Sequence, residues 1–554
     1  MEDRYRWIAL SNTTMALFMS ALDGSIVIIA MPAIFRGIHI DPLASNNFGY
    51  LLWMIVGYML VQAVFVVTLG RMGDIYGRVR IYNAGFLVFT VASVLLSFDP
   101  FTGQPGALWL IGWRLLQAFG GSMLTANSAA ILTDAFPPTQ RGLALGINQI
   151  AGLAGQFLGL IAGGVLAIID WRAIFWVNVP VGLFGTYWAY RHLRETGEHR
   201  LESIDWWGNV TFAVGLSAVL IAITFGIHPY DGHSMGWTNP ATYLPFIGGI
   251  VLLVAFVFIE QREVEPMFAL ALFRIRDFSA GVLAILLAAI ARGGLQLMLV
   301  IWLQGVWLPL HGYAFEATPL WAGIFLLPLS AGFMVAGPIS GVLSDRFGSR
   351  RFATAGLLVV AASFAGLMIL PVQFAYWQFA LLILANGIGQ GMFAAPNTAA
   401  VMSSVPADQR GVASGMRATF QNAGNLLSIG IFFSLMILGL AQRLPAVMAK
   451  GLEQYGVPAA VAHQVASLPP VSSLFAAFLG YNPMQYLLAP SGALKTLSPS
   501  NYAVVTGTTF FPNLISAPFH DGLAVAVSTS IVLSLIAAAA TFFRGRRSSR
   551  KDVS

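Results

Sequence analysis

The fold of this chain is decided by a nine-residue stretch, Gly70-Arg71-Met72-Gly73-Asp74-Ile75-Tyr76-Gly77-Arg78, that recurs in its second half. The second copy, about 270 residues further along, is Gly341-Val342-Leu343-Ser344-Asp345-Arg346-Phe347-Gly348-Ser349. Both copies have the form G-x-x-x-D-x-x-G and lie between two long apolar segments. Two halves built on one plan in a membrane protein predict a transporter whose binding site lies between them.

The composition requires lipid as the solvent. Hydrophobic residues make up 57% of the 554 residues and charged residues only 9%, and the mean hydropathy is +0.76, whereas soluble proteins carry about 25% charged residues. The absence of cysteine excludes disulfides, thiolate metal sites and cysteine nucleophiles. No P-loop, H-E-x-x-H or triad spacing occurs. We therefore expect no enzyme, no bound cofactor or metal and no nucleic-acid partner.

Fourteen apolar segments are long enough to span a bilayer, which takes about 20 residues each. The sequence predicts an all-α polytopic membrane protein with spans at about 8–30, 49–70, 80–98, 107–132, 141–168, 173–191, 204–226, 241–260, 278–308, 319–343, 351–371, 375–402, 411–440 and 519–543. The repeat assigns six spans to residues 1–191 and six to residues 278–554, with two inserted helices and their linkers at 192–277.

The positions of the basic residues support this count. With both termini in the cytoplasm, most of the 29 Lys and Arg residues fall on the cytoplasmic side, as the positive-inside rule expects. The exceptions on the outer side are Arg36, Arg172, Arg443, Lys450 and Lys495, and three arginines lie within spans. We expect a multi-pass protein of a bacterial cytoplasmic membrane.

A segment at about 441–518 is too long for an ordinary connection between helices. It is apolar and interrupted by several prolines. We expect it outside the membrane as short helices, which either lie over the exit path or only pack against the bundle.

The twin loops have two interpretations. Their glycines let helix ends approach closely, and an aspartate can cap a helix N-terminus or pair with a nearby arginine. One interpretation is a conformational latch between the halves, and the other is a tight turn held inside by its basic residues. The proposed latch residues are Gly70, Asp74, Gly77, Arg78, Gly341, Asp345 and Gly348.

Four further stretches share a pattern with a known family. They are Leu22-Asp23-Gly24-Ser25-Ile26-Val27-Ile28-Ile29-Ala30-Met31-Pro32, Arg114-Leu115-Leu116-Gln117-Ala118-Phe119-Gly120, Gly155-Gln156-Phe157-Leu158-Gly159-Leu160-Ile161-Ala162-Gly163-Gly164, and Trp171-Arg172 with Phe175, Asn178, Pro180 and Gly182. Together with the twin loops, they resemble the major facilitator superfamily and its fourteen-helix drug:proton antiporter branch. The resemblance implies two six-helix bundles plus two extra helices.

The resemblance assigns an antiporter motif to Gly155, Gly159, Gly163 and Gly164. Three positions depart from the family pattern: Leu160 replaces a proline, Ile28 an asparagine and Ala118 a glycine. The proline at this position is associated with antiport. Because it is absent here, symport remains an alternative mode of coupling between substrate and proton.

Ionisable side chains within spans are functional candidates, since each costs at least about 2.5–3.5 kcal/mol at the bilayer centre. Asp23 is a carboxylate in span 1 that can take up and release a proton, or can simply bond to a neighbouring helix. Arg114 is implicated in proton coupling by the resemblance, with a structural role as the alternative. Further candidates for substrate binding or coupling are Arg292, Gln296, Gln117 and Asn127.

The sequence thus predicts an antiporter that uses the proton gradient to export lipophilic small molecules or drugs, cationic ones among them. One alternative is export of an endogenous lipid or secondary metabolite. An alternative of another class is a membrane sensor or scaffold that transports nothing. The expected partners are a small-molecule substrate, protons and membrane lipids, and we expect a monomer.

Overall fold

The fold is known from a computed structural model, which describes residues 2–41, 43–44, 47–137, 140–195, 205–227, 230–231, 233, 235–263, 266–406, 409–480 and 482–543. The side chains of residues 2–3, 141–143, 345 and 410–411 lie outside this description. Within these ranges the protein is helical, and its only β-type pairing is an isolated bridge between Tyr230 and His233. The all-α prediction is confirmed.

The first half contains six long segments, one of them broken. Its helices are α1 (Glu2–Gly37), α2 (Phe48–Tyr76), α3 (Arg78–Ser97), α4 (Gly103–Ala135), α5 (Arg141–Ile169), and the pair α6 (Ala173–Trp176) and α7 (Asn178–His192). Helix α1 packs along α5, and α4 packs against α2 and α3. These contacts join the first half into one bundle.

Two helices follow as a hairpin, α8 (Trp206–Gly226) and α9 (Pro240–Glu260), which pack against each other. Each has a clear start signal. The side chain of Asp205 accepts a hydrogen bond from the backbone N–H of Gly208, and Asn239 caps α9 just before Pro240. Helix α8 also contacts α2 of the first half and the long helix of residues 410–454 in the second half, so the hairpin lies against both halves.

The second half repeats the six-segment plan with more interruptions. A 3₁₀ turn (Leu270–Arg274) leads into α10 (Arg276–Trp302), a π-helical turn (Leu303–Trp307) and α11 (Leu308–Leu310). The remaining long helices are α12 (Thr318–Phe325) with α13 (Leu327–Phe347), α14 (Ser349–Ile369), α15 (Tyr376–Ser403), α16 (Arg410–Gln454) and α22 (Phe510–Phe542).

In the described part of the chain, twelve helices are long and apolar enough to cross a membrane. Helix α4 and the broken α6–α7 segment lie where two further spans are predicted, but neither is among the twelve. The 15-residue α7 is short, and α4 carries polar side chains in its interior, Arg114, Gln117 and Asn127 among them. All fourteen predicted segments fall on helices, while fourteen membrane crossings stay a prediction.

The segment predicted at 441–518 starts later than expected, because α16 continues to Gln454. Short helices then follow: α17 (Ala459–Ala466), α18 (Pro470–Phe478), α19 (Met484–Leu488), α20 (Ala493–Thr496) and α21 (Pro499–Val505). Every residue of α18 is buried. Helix α18 therefore packs into the bundle.

The last glycine of each twin loop has a clear structural reason. Gly77 and Gly348 lie between consecutive helices with φ angles of 108° and 92°, a region that side chains with a Cβ rarely adopt. The α2–α3 and α13–α14 junctions therefore turn in the same way. We call the end of the bundle that carries them the basic face, and the other end the opposite face.

Candidate functional site

A buried polar network joins four helices of the first half around Asp23. The Asp23 side chain is 0% exposed and forms an ion pair with Arg114 of α4. Its Oδ1 atom also accepts hydrogen bonds from Gln117 Nε2 at 3.0 Å and from Asn178 Nδ2 of α7 at 2.6 Å. Three donors thus surround one carboxylate.

Arg114 lies at the centre of this network. It donates to Gln117 Oε1 at 2.5 Å, and its guanidinium lies 4.0 Å from the centroid of the Tyr58 ring. Gln117 continues the network by donating to Ser93 Oγ of α3 at 2.8 Å. An ion pair this deep is tolerated only when further hydrogen bonds compensate for lost hydration, and breaking it leaves an uncompensated charge.

Glycines on α5 bring α1 close enough to hold this network. A Cβ added at Gly155 would lie 2.4 Å from Phe18 O, and one at Gly163 would lie 2.8 Å from Ile26 O. At Gly159 it would lie 2.1 Å from Ser25 Oγ. The fourth glycine of the predicted antiporter motif, Gly164, contacts the other half, since its Cβ would lie 2.3 Å from Leu320 Cα of α12.

A cavity of about 450 Å³ lies between the two halves beside this network. Its first-half wall includes Tyr58 and Arg114, and its second-half wall includes Arg292, Gln296 and Arg417. The structure therefore places Arg114 and Arg292, predicted from separate spans, on opposite walls of one cavity.

The second-half wall has its own polar chain. Arg292 Nη1 donates to Gln390 Oε1 of α15 at 3.2 Å, and Gln390 donates to Asn386 Oδ1 at 2.5 Å. Asn386 in turn donates to Ser363 Oγ of α14 at 2.7 Å. In contrast to the network of Asp23, this chain contains no acid.

The cavity is closed towards the opposite face. The side chain of Gln304 in the π-helical turn donates to Ile29 O of α1 at 3.1 Å. The rings of Phe48 in α2 and Phe433 in α16 pack with centroids 5.0 Å apart. Helix α18 adds a further cover, since Phe475 packs against both Phe35 and Phe48.

At the basic face, the first twin loop forms a compact ion cluster. Arg78 pairs with Asp74 at 2.7 Å and with Asp134 of α4 at 2.6 Å. The side chain of Glu195 accepts a hydrogen bond from the backbone N–H of Arg80. Arg71 Nη2 donates to Pro266 O at 3.1 Å, which ties this loop to the segment before the second half.

The structure gives less information about the other residues of the predicted latch. Gly70 and Gly341 occupy equivalent positions, because a Cβ at either would meet an alanine Cβ, at 3.8 Å and 3.7 Å respectively. The side chain of Asp345 lies outside the described part of the chain. Within that part, the acid of the first loop pairs inside its own half.

One predicted site residue lies away from the cavity. Asn127 donates to Leu69 O of α2 at 3.3 Å and to Met123 O at 2.9 Å, and a Cβ at Gly73 would lie 1.8 Å from its Oδ1 atom. It fills the contact between α2 and α4. Asn127 therefore supports the packing of α2 on α4 and does not line the cavity.

The sequence prediction omitted Asn178 and Tyr58 as site residues. Asn178 belongs to the W-R-x-x-F-x-x-N-x-P-x-G pattern, so the pattern marked the position without indicating its partner. Tyr58 had no such signal, because an aromatic residue in an apolar helix looks like ordinary packing. Only the packing of α2 against α4 reveals it.

Comparison with known proteins gives a consistent result. A sequence profile of the Major Facilitator Superfamily matches residues 13–429. The chain is 29% identical to the tetracenomycin C resistance and export protein of Streptomyces glaucescens, over 97% of this chain and 91% of that protein. It is 30% identical to the methyl viologen resistance protein of Salmonella typhimurium, over 80% of this chain and 85% of that protein.

Solved structures share the fold at low identity. A bacterial homologue of the human lysosomal transporter Spinster has a TM-score of 0.58 and 16% identity, over 97% of this chain and 96% of that one. A D-xylose–proton symporter has a TM-score of 0.54 and 14% identity, over 89% of this chain and 98% of that one.

Proposed function

Because the chain belongs to the major facilitator superfamily, we propose that it exports drug-like small molecules in exchange for protons by alternating access. It is a multi-pass membrane transporter and not an enzyme. Relatives named for resistance or export support outward transport of such compounds. The proton gradient is its proposed energy source, without a cofactor.

The observation that carries this proposal is the buried pair of Asp23 and Arg114 at the wall of the central cavity. The protonation of Asp23 changes its interaction with Arg114. When it is ionised it holds the arginine, and when it is protonated it releases the arginine to other acceptors. The wall of the cavity therefore changes with the binding of one proton.

We assign the basic face to the cytoplasm, with both termini there, from the distribution of basic residues. The contacts at the opposite face then close the outer side, and the cavity belongs to an inward-facing state. Export requires the outer contacts to separate and the inner ends of the halves to approach. The proposal includes a division of the chain into a first bundle at 1–191, an inserted helix pair with linkers at 192–277 and a second bundle at 278–554. It also includes a monomeric protein.

The test measures accumulation of a labelled compound panel in inverted membrane vesicles with and without an imposed proton gradient. We expect gradient-dependent accumulation by the wild type and none by Asp23→Asn, which keeps the shape of the side chain but cannot exchange a proton. Both proteins should be present in the membrane in equal amounts. Equal accumulation by Asp23→Asn would refute proton coupling through Asp23, and no accumulation of any compound by the wild type would favour a scaffold.

A further inference from the structure

The central cavity carries two positive charges without a carboxylate partner. Arg292 Nη1 donates to the neutral Gln390, and Arg417 Nη1 donates to Gln421 Oε1 at 3.2 Å and to Thr398 Oγ1 at 3.5 Å. Among the described residues, no acid forms an ion pair with either arginine. Both side chains line the cavity.

The third arginine of the cavity is compensated. Arg114 on the opposite wall is held by Asp23, so this pair adds no net charge. The excess charge of the cavity therefore belongs to the second-half wall and is positive. Charged groups within the membrane are normally paired, because an isolated charge there is costly.

The chemistry of these arginines indicates what can pair with them. A guanidinium presents several N–H donors in a planar fork that matches the two oxygens of a carboxylate or similar acidic group. Glutamine and threonine oxygens use only part of this donor capacity. A cationic substrate would instead meet like charge in a site with restricted hydration.

The rest of the cavity fits an organic body that is partly apolar and partly polar. Apolar side chains such as Ile55, Met59 and Leu297 line it beside the amides of Gln296 and Asn425. Amides can donate to or accept from hydroxyl and carbonyl groups. This lining suits an amphiphilic molecule with oxygen functions.

We propose that the cavity binds amphiphilic organic anions, whose acidic group is held by Arg292 and Arg417. This inference rests on the proposed export function and names its substrate class, where the sequence predicted lipophilic compounds with cationic ones among them. The polar chain behind Arg292 holds its guanidinium at Gln390, beside a smaller cavity of the second half that Arg292 and Arg417 also line. Arg417, on α16, supplies the second cation from a different helix.

The test uses three probes with one aromatic body: naphthalene-2-carboxylate, its primary amide, and naphthalen-2-ylmethyl-trimethylammonium. Binding to the purified full-length protein is measured by competition against radiolabelled naphthoate. We expect the carboxylate to bind about tenfold more tightly than either other probe, as one charge-assisted interaction allows. Arg292→Gln and Arg417→Gln should each remove most of this preference, with a much larger loss of affinity for the carboxylate than for the amide.

Two variants serve as controls. Arg292→Lys keeps the charge and should retain a preference for the carboxylate, whereas Arg443→Gln should behave as the wild type, because Arg443 pairs with Asp521 at an exposed site. Equal affinities for the three probes, or tightest binding of the ammonium, would overturn the inference. Proton-driven accumulation of neutral or cationic compounds in vesicles would then still support the proposed export, so the two proposals can fail separately.

Discussion

Asp23 is held by donors that come from two other helices, α4 and α7, so its protonation affects several elements at once. Asn178 is the most informative of these donors, because it carries no charge and its bond of 2.6 Å goes directly to the carboxylate. A hydrogen bond of this kind, from a neutral amide to a carboxylate, also fixes the position of the carboxylate.

We predict that Asn178→Ala lowers the rate of proton-driven transport, by roughly fivefold. The reason is the loss of one hydrogen bond that positions the Asp23 carboxylate, worth about 1 kcal/mol. Transport by vesicles under a fixed proton gradient gives the rate.

Asn127→Ala is the matched control for Asn178→Ala. It removes an equally buried amide that bonds to backbone carbonyls, so it should lower stability and leave the transport rate per folded protein unchanged. If Asn178→Ala transports at the wild-type rate, Asn178 has no influence on the proton site.

At the scale of helices, the contact between α1 and α5 depends on small residues, as is common where helices pack within lipid. Gly155 lies against the backbone of Phe18, whereas Gly146 on the same helix has no atom within 4 Å of an added Cβ. Helix α5 thus contains one glycine with no room for a methyl group, Gly155, and one with free space beside it, Gly146.

Gly155→Ala should destabilise the protein by about 1–3 kcal/mol, because the added methyl group forces α1 and α5 apart. Gly146→Ala should be neutral or stabilising by up to about 1 kcal/mol, since alanine favours the helix. Thermal unfolding of the purified protein in detergent measures both. A stable Gly155→Ala protein with wild-type transport would show that α1 and α5 can separate without consequence.

The twin loop between α2 and α3 is a second element with a testable role. Arg78 bridges Asp74 and Asp134 with all three side chains about a quarter exposed, so each pair is worth at most about 1 kcal/mol. We predict that Asp74→Asn shifts the ratio of the inward- and outward-facing states by about fivefold.

Distance-reporting spectroscopy between labels on the two halves at the basic face measures this shift. The chain contains no cysteine, so introduced cysteines are the only labelling sites. Asp41→Asn is the control, since asparagine can still accept the hydrogen bond from Leu43 N at the opposite face. Unchanged populations in Asp74→Asn would identify the loop as a turn without a latch function.

At the scale of the molecule, alternating access requires the contacts at the opposite face to open. Phe48 and Phe433 belong to different halves and lie 5.0 Å apart by ring centroids. Phe65 and Phe119 both belong to the first half and lie 5.2 Å apart. The contact between the halves, at Phe48 and Phe433, should open during transport. The contact within the first half, at Phe65 and Phe119, should be kept.

A cysteine pair at positions 48 and 433, joined by a short thiol cross-linker, should abolish transport, and a cleavable linker should restore it when cut. The same linker between positions 65 and 119 should leave transport unchanged, because that half moves as a unit. Transport in reconstituted vesicles before and after cleavage is the measurement. Full transport with positions 48 and 433 joined would rule out opening at this face.

Much of this architecture was predictable from sequence, because it depends on long apolar segments and a repeated loop. Asp23 and Arg114 were found as charges in lipid, and the structure joins them. The hydrogen bond from Asn178 to Asp23 was not predicted, because a motif marks a position without showing which residue it contacts. The break at Val177 and the π-helical turn at Leu303–Trp307 lie just before Pro180 and Pro309, whose missing N–H groups interrupt the helical hydrogen bonds, so both have a local cause in the sequence.

The burial of α18 has a consequence for how the chain is made. Phe35 and Phe48 near the start of the protein are covered by Phe475, which leaves the ribosome more than 400 residues after them. Because translation proceeds from the N-terminus, the first helices enter the bilayer before the cover that Phe475 provides has been made. This cover of the opposite face is therefore added late in biogenesis, and a nascent chain arrested before α17 would lack it.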